Sequence, residues 1–193
     1  MHEIEPYWQW RDYYTAENDE KSPFFNKVYD EIYFNNAIYN YFIHPQWDCF
    51  DSNTLYLKIL FVDYDLGFCI LEFIGEWNDC LYNDIMYLKR NIIEELIANN
   101  INKFILLGEN VLNFHYSDDL YYQEWYEEIE NGWIVGLGFR KNLIREFRSV
   151  GIHHYIEFEE EEYAIDWRTM MPKELFAKVE ADYFNQNNIL PIF

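Results

Sequence analysis

The apolar residues of this 193-residue chain change their spacing between residues 55 and 97, and that change limits the folds open to it. Leu55, Leu57, Ile59 and Phe61 share one parity of an extended segment, while Tyr56, Leu60 and Val62 occupy the other. Side chains alternate between the faces of a strand, so this segment reads as a strand that is mostly covered. Asp63-Tyr64-Asp65-Leu66-Gly67 is a turn signal, and residues 68–74 form its partner strand, ended by Gly75. From Leu81 the spacing turns helical, through Ile85, Leu88, Ile92, Leu96 and Ile97. Asn78 or Asp79 can cap that helix, and Asp84 sits early, where an acid suits the helix dipole.

Strand and helix then alternate. Residues 103–107 predict a short buried strand that stops at Gly108, followed by a polar loop. Ser117 is placed to cap the next helix, with Asp118 and Asp119 in its first turn and Tyr122, Trp125, Tyr126 and Ile129 on its inner face. Gly132 ends that helix and residues 133–137 form another strand. Leu143, Ile144, Phe147 and Val150 define a helix stopped at Gly151, and residues 155–158 give a last strand before the acidic run 159–162. Pro172 opens a final helix carrying Leu175, Phe176, Val179 and Tyr183. The order from residue 55 is β-β-α-β-α-β-α-β, which predicts an α/β fold: a mixed sheet with helices packed on it.

Residues 1–54 stand outside that order as an aromatic, β-rich extension. Trp8, Trp10, Tyr13 and Tyr14 are clustered, and such a group most often closes over a core or an oligomer interface. Residues 28–34 alternate like a strand, Asn35-Asn36 reads as a turn, and residues 37–43 as the returning strand. The expected division is 1–54 as an extension packed on the main domain, 55–160 as that domain, and 161–193 as a helical segment.

Charge narrows the partners. Fourteen basic residues against thirty-five acidic ones give a net charge of −21. Affinity for nucleic acid comes largely from Lys and Arg neutralising phosphates, so nucleic acid is excluded, and the same sign disfavours anionic membranes. A basic protein or a cation is compatible, although solubility alone would also account for the acidity. The odd set Cys49, Cys69 and Cys80, with no Cys-x-x-Cys, reads as free thiols in a reducing compartment. Residues 1–10 hold acids and no apolar run, and no stretch is long enough to span a bilayer, so the cytoplasm is the expected location.

Three phrases in this order resemble the STAS domain, the module of bacterial anti-sigma-factor antagonists and of sulfate-transporter tails. Ile74-Gly75-Glu76-Trp77-Asn78-Asp79 stands where that family carries a Gly-Glu-Leu-Asp-like phrase before its first helix. Val111-Leu112-Asn113-Phe114-His115-Tyr116-Ser117-Asp118-Asp119 stands where it has a loop of the type Val-Thr-Phe-Ile-Asp-Ser-Ser-Gly. Residues 133–158 match its closing strand, helix and strand, with Gly151 as the helix-closing glycine. The resemblance covers roughly residues 55–160. It implies a non-catalytic regulatory domain that docks a partner protein and a phosphorylatable serine at Ser117. Here acids follow that serine, and Leu107 replaces the aspartate that ends the family's strand.

Two sets of candidates follow. Ser117, Asp118, Asp119 and Leu120 form the expected phosphorylation or docking site, since exposed amides at a helix start tolerate a phosphate. Glu76, Asn78 and Asp79 after one strand, and Glu109, Asn110 and His115 after another, converge at the carboxyl edge if the strands are neighbours, which is where open α/β sheets place ligands. Small-ligand binding there is the second reading. A Mg²⁺- or Ca²⁺-dependent enzyme using Glu76, Asp79 and Glu109 is the third, but the residues lack a fixed ligand spacing, so neither metal nor cofactor is assigned. His153-His154 on a strand would point to opposite faces and could not chelate. A homo-oligomer is compatible with all of this.

Overall fold

A computed structural model describes residues 4–30, 32, 36–159 and 164–186. A small hairpin, β1 (Ala37–Ile38) and β2 (Tyr41–Phe42), precedes a five-stranded sheet. The sheet comprises β3 (Leu55–Asp63), β4 (Phe68–Asn78), β5 (Lys103–His115), β6 (Trp133–Leu137) and β7 (Glu157–Phe158), side by side in that order. β3 and β4 are antiparallel, and the remaining pairs are parallel. The helices are α1 (Asp79–Tyr82), α2 (Asp84–Leu88), α3 (Glu94–Ala98), α4 (Leu120–Glu128), α5 (Lys141–Ser149) and α6 (Pro172–Gln186). The β-β-α-β-α-β-α-β order and the mixed sheet agree with the sequence reading.

Both faces of the sheet are covered, as strands apolar on both parities require. One face carries Leu57, Cys69, Leu71, Phe73, Phe104 and Leu106 against Leu88, Trp125 and Phe147 of the crossover helices. The other carries Phe68, Ile70, Ile105, Leu107 and Val135 against Leu175, Phe176 and Val179 of α6, and against Tyr7, Trp10 and Trp167. The early aromatics therefore divide: Tyr7 and Trp10 are buried in this second layer, whereas Trp8 and Tyr13 are exposed. A register shift between Ile59 and Phe61 turns Phe61 away from Leu55, Leu57 and Ile59, so the parity read from sequence breaks at that bulge.

Several boundaries differ from the sequence reading. Residues 27–30 are irregular rather than a strand, and the continuation of that expected strand through Glu31, Tyr33 and Phe34, with Asn35 of the turn, lies outside the described residues. The expected returning strand is instead the tight β1–β2 hairpin. β4 runs through Gly75 to Asn78, and β5 runs through Gly108 to His115, because each supplies the other's ladder partners. The single helix expected from Leu81 is broken: Asn83 is left-handed (φ 54°), and a wide π turn at Lys89–Ile93 separates α2 from α3. Residues 152–154 form a 3-10 turn before β7, and residues 160–163 of the acidic run lie outside the described residues. Gly151 does close α5, in the left-handed region at φ 85°.

Lys89 of the π turn is fully buried, and its Nζ lies 2.7 Å from Glu128, 3.3 Å from Glu94 and 3.7 Å from Glu124. It ties α4 to the α2–α3 layer. Lys89→Ala, which removes both the cation and its buried stem, is expected to cost about 3 kcal/mol, and Lys89→Met only about 1 kcal/mol. Urea unfolding of both variants checks this. Equal losses would show that charge, not packing, dominates at this position.

Candidate functional site

β4 and β5 outrun their neighbours and end together, with Asn78 opposite His115. An open cleft of about 540 Å³ lies at this end. Ile38 and Tyr39 of the hairpin form one wall, Asn53 and Thr54 before β3 another, and Cys80, Leu81 and Tyr82 of α1 a third, with Glu76, Asn78 and His115 between them. The expected convergence at the carboxyl edge therefore holds for Glu76, Asn78 and His115.

The walls are held by buried polar contacts. Asn78 caps α1, its side chain accepting from the amide of Leu81 at 3.0 Å. Asp84 accepts from Ser52 Oγ (2.7 Å), Thr54 Oγ1 (2.9 Å) and the Asn78 amide (2.8 Å), so one carboxylate fixes two walls. Burial raises its pKa against those three bonds. Asp79 lies beneath, accepting from the Ile85 amide (2.9 Å) and from Tyr122 Oη of α4 (2.6 Å). Burial pushes its carboxyl up to about 7, against the pull of Tyr122 and the Ile85 amide. Asp79 thus links the cleft floor to the helix that follows Ser117.

Glu76 is 4% exposed, and it accepts from Tyr39 Oη (2.6 Å) and Asn113 Nδ2 (2.6 Å). Tyr39 sits in the left-handed region at φ 55°, a conformation that costs a non-glycine residue roughly 1 kcal/mol. Its bond to Glu76 offsets that strain and pins the hairpin over the cleft.

Glu109 does not join this site. It lies on the other face of the sheet, where it accepts from Trp167 Nε1 (2.7 Å) and Arg168 Nη2 (2.6 Å). Arg168 also lies 3.8 Å from Glu72, which accepts from the Tyr7 amide at 2.7 Å. Glu72 and Glu109 thereby fasten the N-terminal and C-terminal segments over the sheet. Burial pushes the Glu72 carboxyl up to about 7, opposed by the Tyr7 amide and by Arg168. Asn110 is half-buried within the ladder opposite Ile74. The carboxylates Glu76, Asp79 and Glu109 therefore do not assemble, and among the described residues no cluster of three His, Cys, Asp or Glu could hold a metal ion.

Ser117 is exposed but is not the expected cap. α4 starts at Leu120 behind Asp119, and Asp118 Oδ1 accepts from the Leu120 amide at 3.2 Å. β5 continues to His115, so residues 116–119 form a short exposed bridge instead of the long polar loop expected from Gly108. Asp119 is held by Tyr155 Oη at 2.9 Å, and Leu120 is 65% exposed. Sequence reasoning missed Tyr39, Thr54, Cys80, Leu81 and Tyr82 at the cleft. The available signal was Leu81 and Tyr82, apolar residues in the first turn behind the capping pair Asn78-Asp79.

No family model and no curated protein matches the chain. Solved structures similar to it include two of SpoIIAA. The anti-sigma factor antagonist SpoIIAA in its unphosphorylated form matches with a TM-score of 0.44 and 12% identity, over 65% of this chain and 96% of that one. The Bacillus cell fate determinant SpoIIAA in the phosphorylated form matches with a TM-score of 0.39 and 12% identity, over 64% and 98%. Each match spans about two thirds of this chain and nearly all of the other.

Proposed function

We propose that the chain is a non-catalytic, cytoplasmic regulatory module that docks a partner protein at the carboxyl edge of its sheet, through the cleft rim and residues 116–120. The observation that carries this reading is the set of large apolar side chains left in water there. Leu81 is 74% exposed and Leu120 65%, and Tyr82 and Tyr116 are exposed beside them in sequence. Large apolar side chains gathered in water mark interaction sites. The segments adjoin: α1 follows Asn78, Tyr116 follows His115, and the Asp79–Tyr122 bond joins α1 to α4. Ser117, Asp118, Asp119 and Leu120 are the proposed contact residues, with Ser117 the proposed site of modification. Among the described residues no helix is long and apolar enough to cross a membrane.

Affinity capture with wild-type, Ser117→Glu and Leu120→Asp proteins tests the reading. Leu120→Asp is expected to lose the partner at least tenfold and Ser117→Glu to weaken it, with unchanged melting temperatures, since both side chains are exposed. Identical partner sets for all three proteins would refute it. A small ligand in the cleft is the second reading, favoured by a volume of about 540 Å³, which suits small molecules. A metabolite that raises the melting temperature with occupancy, in the absence of any protein partner, would favour it.

A further inference from the structure

We propose that the cleft between the β1–β2 hairpin and α1 is a cation pocket that receives an arginine side chain of the docking partner, with Glu76 as its anion. The docking of a protein at this edge is the reading given above, and the pocket's chemistry is the added step.

Among the described residues the Glu76 carboxylate is bonded through one oxygen only. The residue is 4% exposed, yet both hydrogen bonds that it accepts end on the same oxygen, Oε1. Among the described residues Oε2 has no hydrogen-bond or ion-pair partner, and it is not one of the fully enclosed unpaired atoms. Glu76 itself lines the cleft. An oxygen that is neither paired within the described residues nor enclosed is open to a donor entering the cleft, where a cation's N–H in place of water makes a charge-assisted bond. Among the described residues no lysine or arginine lines the cleft, His115 is its one basic side chain, and Asp79 and Asp84 lie buried behind its walls. The local field therefore favours a cation, as does the chain's net charge of −21.

The other lining residues favour guanidinium over ammonium. Tyr39 and Tyr82 offer two aromatic rings, on which a planar guanidinium stacks while its N–H groups reach the carboxylate. The side-chain groups of Asn53, Thr54 and Asn78 at the same walls can accept its remaining donors. Leu81, 74% exposed at the rim, covers the aliphatic stem.

The test uses the full chain, with backbone amide shifts followed by NMR while N-acetyl-arginine methylamide is added. The citrulline analogue, equal in shape and uncharged, is the parallel probe. Saturable shifts are expected at Thr54, Asn78, Cys80, Leu81 and His115, with citrulline weaker by about tenfold or more. Glu76→Gln, which keeps an acceptor for Tyr39 and Asn113, should lose a similar factor. Tyr82→Leu, an exposed change that leaves the carboxylate in place, should lose part of it. Equal binding of arginine and citrulline, unchanged binding by Glu76→Gln, or no shifts at the cleft would each overturn the proposal. The readout needs no partner, so a failed capture with a responsive cleft would refute protein docking alone, and the reverse would refute the cation pocket alone.

Discussion

Raising the pH from about 5 to about 8 is expected to destabilise this protein by several kcal/mol, on the order of 3 kcal/mol from each of Glu72 and Asp79. Both carboxyls are 2% exposed, and burial pushes each up to about 7 from ordinary values of 4.5 and 3.8. A raised carboxyl pKa means that the folded state holds its proton more tightly than the unfolded chain. The contribution is fully present below the unfolded value and is lost as pH rises through the folded value, so the decline falls between about pH 4 and about pH 7. Asp84, also raised by burial, acts in the same direction. Asp63 and Glu94 are shifted down, so their contribution is lost only at more acid pH, outside this window. Glu72 and Asp79 lie on opposite faces of the sheet, so their effects should add. Urea unfolding across the pH series measures the slope. Glu72→Gln and Asp79→Asn should each remove a large part of it, with Asp84 supplying the remainder, and a stability that is flat or rises with pH would contradict the assignment.

Gly75→Ala is expected to cost about 3 kcal/mol or more and to open the cleft. Gly75 has φ 121°, a conformation that side chains rarely adopt, and an added Cβ would fall 2.1 Å from the Thr54 carbonyl oxygen and 2.5 Å from Ile38 Cδ1. The first of these contacts is backbone, so β3 and the preceding loop would have to move. The Thr54 carbonyl also accepts from the Glu76 amide at 2.8 Å, so the damage reaches the cleft floor. Gly151→Ala is the control. Its φ of 85° is strained, but the nearest atom to an added Cβ is His154 Cδ2 at 3.6 Å, so it should cost only about 1 kcal/mol. Equal losses in chemical denaturation would mean that the close approach at Gly75 is absent in solution.

The helix order and the sheet's alternation could be read because each rests on local spacing. Strand ends could not be read in the same way. Gly75 and Gly108 look like stops, yet both lie inside strands, because β4 and β5 pair with each other beyond them. Gly108 is kept in the strand by packing, since an added Cβ would fall 2.4 Å from the Phe139 ring. Once β5 continues, Ser117 falls three residues before the helix and can no longer cap it. A cap is a local signal, but its position depends on where a neighbouring strand releases the chain.

By itself, then, the sequence determined the α/β class and the succession of strands and helices from residue 55, together with a net charge of −21, and it pointed to Glu76, Asn78 and His115 as neighbours at one sheet edge. Periodicity and charge are properties of neighbouring residues and of sums, so they survive without coordinates. Tertiary structure decided that Glu109 leaves that set: it keeps the parity of Ile105 and Leu107 and so meets Trp167 and Arg168 on their face, while the irregularity beyond it carries Val111 to the other. It also decided that Tyr39, 37 residues away in sequence, bonds to Glu76. Contacts at that separation depend on how the hairpin folds back over β4, and no local spacing encodes them.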